Sequence, residues 1–167
     1  MPVPKPILVV DSREPVATRW RFRRFTKWFA GIESGALKAG DYAIGGYEGQ
    51  IAVERKTATD AVQSTAPSQA RERFIASCQR LSKVYRAAVV VEAGYARLHR
   101  PVCPTDMHPN AVLGTLLALQ CRFNLPFVFA GSRSMAEEWA AHFLSKSFVH
   151  LWLRDNGYGE HFVDGDV

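Results

Sequence analysis

The residues with chemistry in them lie close together in the first third of the chain. Gly40-Asp41-Tyr42-Ala43-Ile44 leads through Gly45-Gly46-Tyr47-Glu48-Gly49 into Ile51-Ala52-Val53-Glu54-Arg55-Lys56. Short β-prone runs on either side of a Gly-rich turn predict a hairpin. With residues 46–49 as its loop, Gly45 faces Gln50, Ile44 faces Ile51 and Asp41 faces Glu54. Side chains alternate along a strand, so Glu54 and Lys56 share a face and Arg55 points the other way. Two carboxylates and an amine then meet at one strand end. Cross-strand neighbours have Cβ atoms about 5 Å apart, a spacing at which two carboxylates can bridge one cation.

Two carboxylates so placed repel, and one pKa rises unless a cation joins them. Mg²⁺ favours carboxylate oxygens together with waters and substrate phosphate. Such an ion acidifies water and stabilises charge on a phosphoryl oxygen, and a neighbouring lysine adds a positive charge. Acid, acid and lysine therefore suffice for phosphodiester hydrolysis. The plainer alternative is that Glu54-Arg55-Lys56 lies on a solvated edge strand.

The elements that must position these residues follow from the pattern. Residues 7–10 are an apolar run ending at a polar loop, which reads as a buried strand. Thr57 caps a short helix over residues 58–63. Phe74, Cys78, Leu81 and Tyr85 mark one apolar face of a helix over residues 68–86. Residues 87–91 form a continuous apolar run and read as a central strand. A loop over residues 101–109 precedes an apolar helix over residues 110–123, a strand over 126–129 and a helix capped by Ser132. This order predicts an α/β fold, a mixed sheet flanked by helices. Residues 18–29 carry aromatics at mixed spacings and show neither period.

Composition narrows the class. The chain has 167 residues, 47% hydrophobic and 22% charged, which suits one globular domain rather than a disordered or fibrous chain. No run of about 18 apolar residues exists, so no membrane helix is expected. The short proline-rich start is followed by no signal-type cleavage site. The expected setting is the cytoplasm for a bacterial or phage protein, or the nucleus for a eukaryotic one. Cys78, Cys103 and Cys121 form no C-x-x-C pair, which argues against a disulfide framework and a structural zinc. The five histidines show no metal-ligand spacing.

The formal net charge of +5 suits an anionic partner. Arg19, Arg21, Arg23, Arg24 and Lys27 cluster without an acid and alternate with Trp20, Phe22, Phe25, Trp28 and Phe29. Two readings stand: the segment grips DNA through phosphates and stacked bases, or the aromatics are core and the cations solvated. Arg71 and Arg73 open the long helix, where they either meet phosphate or face solvent. Trp139, Phe143, Phe148 and Trp152 recur near helical spacing, as core or as a homodimer interface. Residues 151–167 read as an acidic tail after a domain over residues 1–150.

These blocks together resemble the XPF-type nuclease family of the PD-(D/E)XK, restriction-endonuclease-like superfamily. The resemblance rests on Val10-Asp11-Ser12-Arg13-Glu14, then Gly40-Asp41, then Glu54-Arg55-Lys56 with Asp60 four residues on. The family signature is G-D, a variable stretch, E-R-K, three residues, D, and every position is filled. The likeness extends over residues 7–149 and implies a central mixed sheet with helices on both sides. It implies that Asp41 and Glu54 are metal ligands, that Glu14 completes the metal site and that Lys56 is the catalytic lysine. Arg55, Asp60, Asp11 and Arg13 fill signature positions that hold the site or touch phosphate.

The activity so implied is Mg²⁺- or Mn²⁺-dependent cleavage of DNA at branches, flaps or single-strand/duplex junctions, in repair or recombination. In-line attack by an activated water would leave 5′-phosphate and 3′-hydroxyl ends. Two departures stand out. Eukaryotic and archaeal members carry a tandem helix-hairpin-helix domain after the nuclease domain, and this sequence ends at Val167 without one. It is thus most like small nuclease-only members, which act with other proteins or on unknown targets; the partners to expect are a second copy of the chain or a protein that supplies DNA-structure specificity. Ser77 stands where the family leads one to expect a glutamine or an acid. The rival functions are a non-catalytic module of the same fold, which intact Asp41, Glu54 and Lys56 argue against, and a nuclease for RNA or plain single-stranded DNA.

Overall fold

A computed structural model describes residues 3–158. Six strands form one mixed sheet in the order β2-β1-β3-β4-β5-β6. They are β1 (Ile7–Asp11), β2 (Gly31–Gly35), β3 (Tyr42–Ile44), β4 (Ile51–Lys56), β5 (Arg86–Val91) and β6 (Phe127–Phe129). β1 runs parallel to β2 and antiparallel to β3, and β3 is antiparallel to β4. β4, β5 and β6 run parallel. The helices are α1 (Ala58–Gln63), α2 (Gln69–Leu81), α3 (Tyr95–Leu98), α4 (Pro109–Phe123) and α5 (Arg133–Asp155).

The helices cover both faces of the sheet, as the sequence leads one to expect. On one face α1, α2 and α4 bury Val62, Phe74, Leu81 and Leu116 against Ala52, Val89 and Val91. On the other, α5 and residues 20–29 bury Leu144, Phe148, Trp20 and Phe22 against Val10, Ile44, Val53 and Val90. β5 lies between two parallel neighbours and is buried from Ala87 to Val91. That accounts for its lack of polar alternation. Thr57, Ser68 and Ser132 cap α1, α2 and α5 by accepting from the amides of Asp60, Arg71 and Met135. Such caps satisfy amides that a helix start leaves unpaired.

Four features depart from the sequence reading. α2 stops at Leu81, not residue 86; the chain turns there, and Tyr85, which fits the helical period, is 66% exposed. β2 is an extra edge strand whose sequence, Gly-Ile-Glu-Ser-Gly, shows no apolar alternation because its central residues are exposed. α3 is one further short turn inside a segment that carries no clear period. α5 runs past position 150 to Asp155 with Leu151 buried, so residues 151–155 belong to the domain rather than to an acidic tail. Glu160, Asp164 and Asp166 of that tail lie outside the described residues.

Trp139 and Phe143 stack on each other at 4.9 Å between ring centroids, and with Trp152 they pack against the core that holds Phe148. Their helical recurrence is thus accounted for by packing. No helix among the described residues is long and apolar enough to cross a membrane.

Candidate active site

The hairpin has the register read from its sequence. Tyr42 pairs with Val53 and Ala43 with Ala52, which continues to Ile44 opposite Ile51. Asp41 lies just past the last registered pair. Its amide donates to the Val53 carbonyl at 2.8 Å, and its own carbonyl accepts from the Asp11 amide at 2.8 Å. The chain reaches this position through Gly40, at φ +73°, where a Cβ would sit 2.9 Å from the Val53 carbonyl oxygen. Only glycine fits both demands. The Gly-Asp pair is thereby a placement device: the glycine brings the backbone close, and the aspartate enters the cavity.

That cavity has a volume of about 350 Å³. Asp41, Glu54 and Lys56 line it from the strands, and Asp60, Phe74 and Ser77 from the helices. Arg13, Lys38, Arg73 and Arg80 form a basic rim. The Asp41 carboxylate accepts from the Arg55 backbone N–H at 2.8 Å. Glu54 Oε2 accepts from Ser77 Oγ at 2.9 Å. Lys56 Nζ donates to Ser64 Oγ at 3.2 Å and lies 4.3 Å from the centre of the Phe74 ring.

Electrostatics sets this pair of acids apart. Burial pushes the Asp41 carboxyl well above the ordinary range, and the charges of Glu54 and Glu14 push it further. Burial also raises Glu54, although Lys56, the Ser77 hydroxyl and Arg80 pull against it. Two desolvated carboxylates that oppose each other's ionisation are what a hard cation relieves.

The opposite face of β4 carries a different cluster. The Arg55 side chain is only 6% exposed. Its Nε donates to Glu92 Oε1 at 2.8 Å, and its Nη1 to Glu14 Oε2 at 3.3 Å. Trp20 Nε1 donates to the same Glu92 oxygen at 2.7 Å. The Tyr42 hydroxyl donates to Glu14 at 3.3 Å and accepts from the Trp20 amide at 2.8 Å. Arg133 reaches Glu92 at 3.5 Å from the start of α5. This polar knot anchors the strand that carries Glu54 and Lys56.

The candidates named from sequence divide accordingly. Asp41, Glu54 and Lys56 meet in the cavity, with Asp60 exposed at its edge. Arg55 holds Asp41 only through its backbone, because its side chain turns to the other face. Glu14 also lines the cavity, but its carboxylate engages Arg55 and Tyr42. Among the described residues no group of three His, Cys, Asp or Glu side chains is assembled for a metal.

Asp11 is buried and also lines the cavity. Its carboxylate accepts from the Arg13 amide and guanidinium and from the Leu37 amide. Arg13 also donates to the Leu37 carbonyl, so the pair pins the loop after β2 beside the cavity.

Arg73 lines the cavity; Arg71 does not. Nor do Arg19, Arg21, Arg23, Arg24 and Lys27. Trp20, Phe22, Phe25 and Phe29 are buried core, which removes the stacking platform. Arg24 is instead tied to Ser134 and Glu138, and Arg133 donates to the Arg19 carbonyl. The sequence reading missed Ser64, Lys38 and Glu92 as parts of the site, and gave Arg80 no role. Glu92 is reached from Trp20, Arg55 and Arg133, far apart in sequence, and so leaves no local pattern.

Solved structures share this architecture. XPF from Aeropyrum pernix superposes with a TM-score of 0.62 at 20% identity, over 90% of this chain and 68% of that one. XPF from Aeropyrum pernix in complex with DNA superposes with a TM-score of 0.58 at 20% identity, over 90% of this chain and 66% of that one. No curated protein matches the sequence. The fold is the one these XPF chains share. The ERCC4 domain model matches residues 10–143, and the chain belongs to that family.

Proposed function

We propose that this protein is a divalent-metal-dependent DNA endonuclease that hydrolyses phosphodiester bonds at branched, flap or junction-containing DNA. One observation carries the reading: Asp41, Glu54 and Lys56 line one cavity under a rim formed by Arg13, Lys38, Arg73 and Arg80. The solved structure of XPF from Aeropyrum pernix in complex with DNA supports DNA as the substrate class.

The donor chemistry fits Mg²⁺ or Mn²⁺. Asp41 and Glu54 would supply oxygen ligands, and burial makes each costly to ionise alone. Two carboxylates would leave further positions for water and substrate phosphate, the arrangement Mg²⁺ prefers. When bound, the ion supplies acidity to water and charge stabilisation to a phosphoryl oxygen.

The chain's own residues do the rest. The Arg55 amide and the Ser77 hydroxyl orient the two carboxylates. Lys56 is steered by Ser64 and Phe74 and offsets negative charge that grows on the phosphoryl oxygens. The rim cations hold the flanking phosphates. A partner chain or a second copy would supply any junction preference that the domain lacks by itself.

The test is cleavage of labelled fork, flap, single-stranded, duplex and RNA substrates with Mg²⁺ or Mn²⁺, with EDTA and Asp41→Ala as controls. Cutting is expected with metal only, absent in the variant and strongest on fork or flap DNA. Binding without cutting under every metal condition would move the assignment to a scaffold module. Preference for RNA or plain single strands would overturn the substrate.

A further inference from the structure

We propose that a second groove, beside the cavity, carries the substrate strand onward from the scissile phosphate in unpaired form, with Lys83 as an outlying phosphate contact. The inference deepens the nuclease reading above and rests on it. The groove has a volume of about 610 Å³ and adjoins the cavity, with Lys38, Ala39 and Arg80 lining both. A strand whose phosphate sits at Asp41 and Glu54 would pass over these three shared residues to enter it.

The lining suits one polyanionic strand. Lys38, Arg80 and Lys83 are exposed cations along the groove, and Glu48 is the one acid. Val9, Leu37 and Val84 form an apolar floor, while Gly35, Ala36 and Gly49 leave it unfilled. Phosphates pair with such cations, and sugars and base faces can rest on such a floor. The volume falls in the range of small-molecule pockets, enough for nucleotides of one strand. No aromatic side chain lines the groove, so base identity is not read by stacking and the contact is tolerant of sequence.

The groove exists because the sheet is covered unevenly. α1, α2 and α4 pack over the β4–β6 side of this face. Over β1 and β3 the buried apolar cluster is only Val9, Leu37 and Ala43. The loop after β2 forms one wall, and the end of α2 with the following turn forms the other.

The test uses the full chain with Mg²⁺ and duplexes that carry unpaired tails of zero, two, four or six nucleotides on either side of the cut. Binding and cleavage are measured for the wild type, Lys83→Ala and Glu48→Gln across a salt series. For the wild type, affinity and cleavage are expected to rise several-fold as a tail lengthens on one side and then level off. Lys83→Ala should lose most of that gain and lower the salt slope by about 0.7, the value for one single-strand phosphate contact. Glu48→Gln should increase the gain, an opposite shift that a folding defect would not produce.

An unchanged tail dependence in both variants, with the wild type cutting normally, would overturn the groove and leave the nuclease reading intact. A wild type that neither binds nor cuts any DNA would overturn both.

Discussion

The backbone N–H of Arg55 holds the Asp41 carboxylate at 2.8 Å, while the Arg55 guanidinium lies on the opposite face of the sheet. One residue thus serves two environments. Its amide orients an acid in the cavity, and its side chain locks β4 to Glu14 and Glu92. Strand alternation makes this division, because Glu54 and Lys56 must face the cavity together and Arg55 cannot. The middle position of Glu-Arg-Lys therefore supports the other two through the backbone.

Arg55→Ala should be strongly destabilising. It leaves Glu14 and Glu92 largely buried without their main cation, at side-chain exposures of 13% and 9%. Breaking such a pair typically costs about 3–5 kcal/mol, which for a domain of this size lowers Tm by roughly 6–20 °C. Thermal unfolding checks this. Adding Glu92→Gln to Arg55→Ala should restore part of the loss, because the stranded charge is then removed.

Asp41→Asn should do the reverse without metal. The folded carboxyl has a raised pKa from burial and from the Glu54 charge. The native state therefore binds that proton more readily than the unfolded chain, and ionisation at neutral pH costs folding energy. Asparagine removes the charge and can still accept from the Arg55 amide. In EDTA at pH 7 its Tm should exceed the wild type by roughly 2–6 °C, while cleavage falls by at least ~10²-fold. Mg²⁺ should raise the wild-type Tm and leave the variant nearly unmoved.

Asp11 gives the acid limit of stability. Its pKa is lowered to about 2, first by the hydrogen bond from Arg13 and then by the amides of Arg13 and Leu37, against its own burial. The unfolded value is 3.8, so the contribution is full above that pH and is lost as pH falls toward 2. Its size is at most about 2 kcal/mol, reduced by solvent around an Arg13 side chain that is 74% exposed. Acid titration of stability should show this loss in the wild type and a flatter curve between pH 4 and 2 in Asp11→Asn.

How far the sequence carried depended on whether a signal was local. The hairpin register follows from the Gly-rich turn and the Ile44–Ile51 match, and the structure has it. The caps at Thr57 and Ser132 are equally local. Residues 20–29 defeated periodicity because they follow no regular element: Phe22 takes a left-handed conformation at φ 52° before a single 3-10 turn. Burial there is set by α5, more than a hundred positions away, whose Glu137 accepts from the amides of Arg21 and Phe22.

Glu92 shows the same limit. It closes the apolar run of β5 and carries no motif, yet Trp20, Arg55 and Arg133 all converge on it.

The thiols should separate by exposure. Cys121 is exposed and Cys103 half-buried, whereas Cys78 is buried on α2. Burial and then the Glu54 charge push the Cys78 thiol up to about 12. A thiol reagent at pH 8 should therefore label Cys121 first, Cys103 more slowly and Cys78 only when α2 opens. Mass spectrometry of the labelled sites over time, with and without denaturant, checks the order.

Ser77 should tune metal affinity rather than the chemical step. Its hydroxyl donates to Glu54 Oε2 from α2, so it fixes one carboxylate of the pair. A ligand's hydrogen-bond partner typically contributes about 10–100-fold in metal affinity. Ser77→Ala should therefore raise the Mg²⁺ needed for half-maximal cleavage by ~10-fold or more, with little loss of rate at saturating Mg²⁺. Ser77→Thr, which keeps the hydroxyl, should restore the wild-type requirement. An equal loss of rate at every Mg²⁺ concentration would instead mean that Ser77 acts on the substrate.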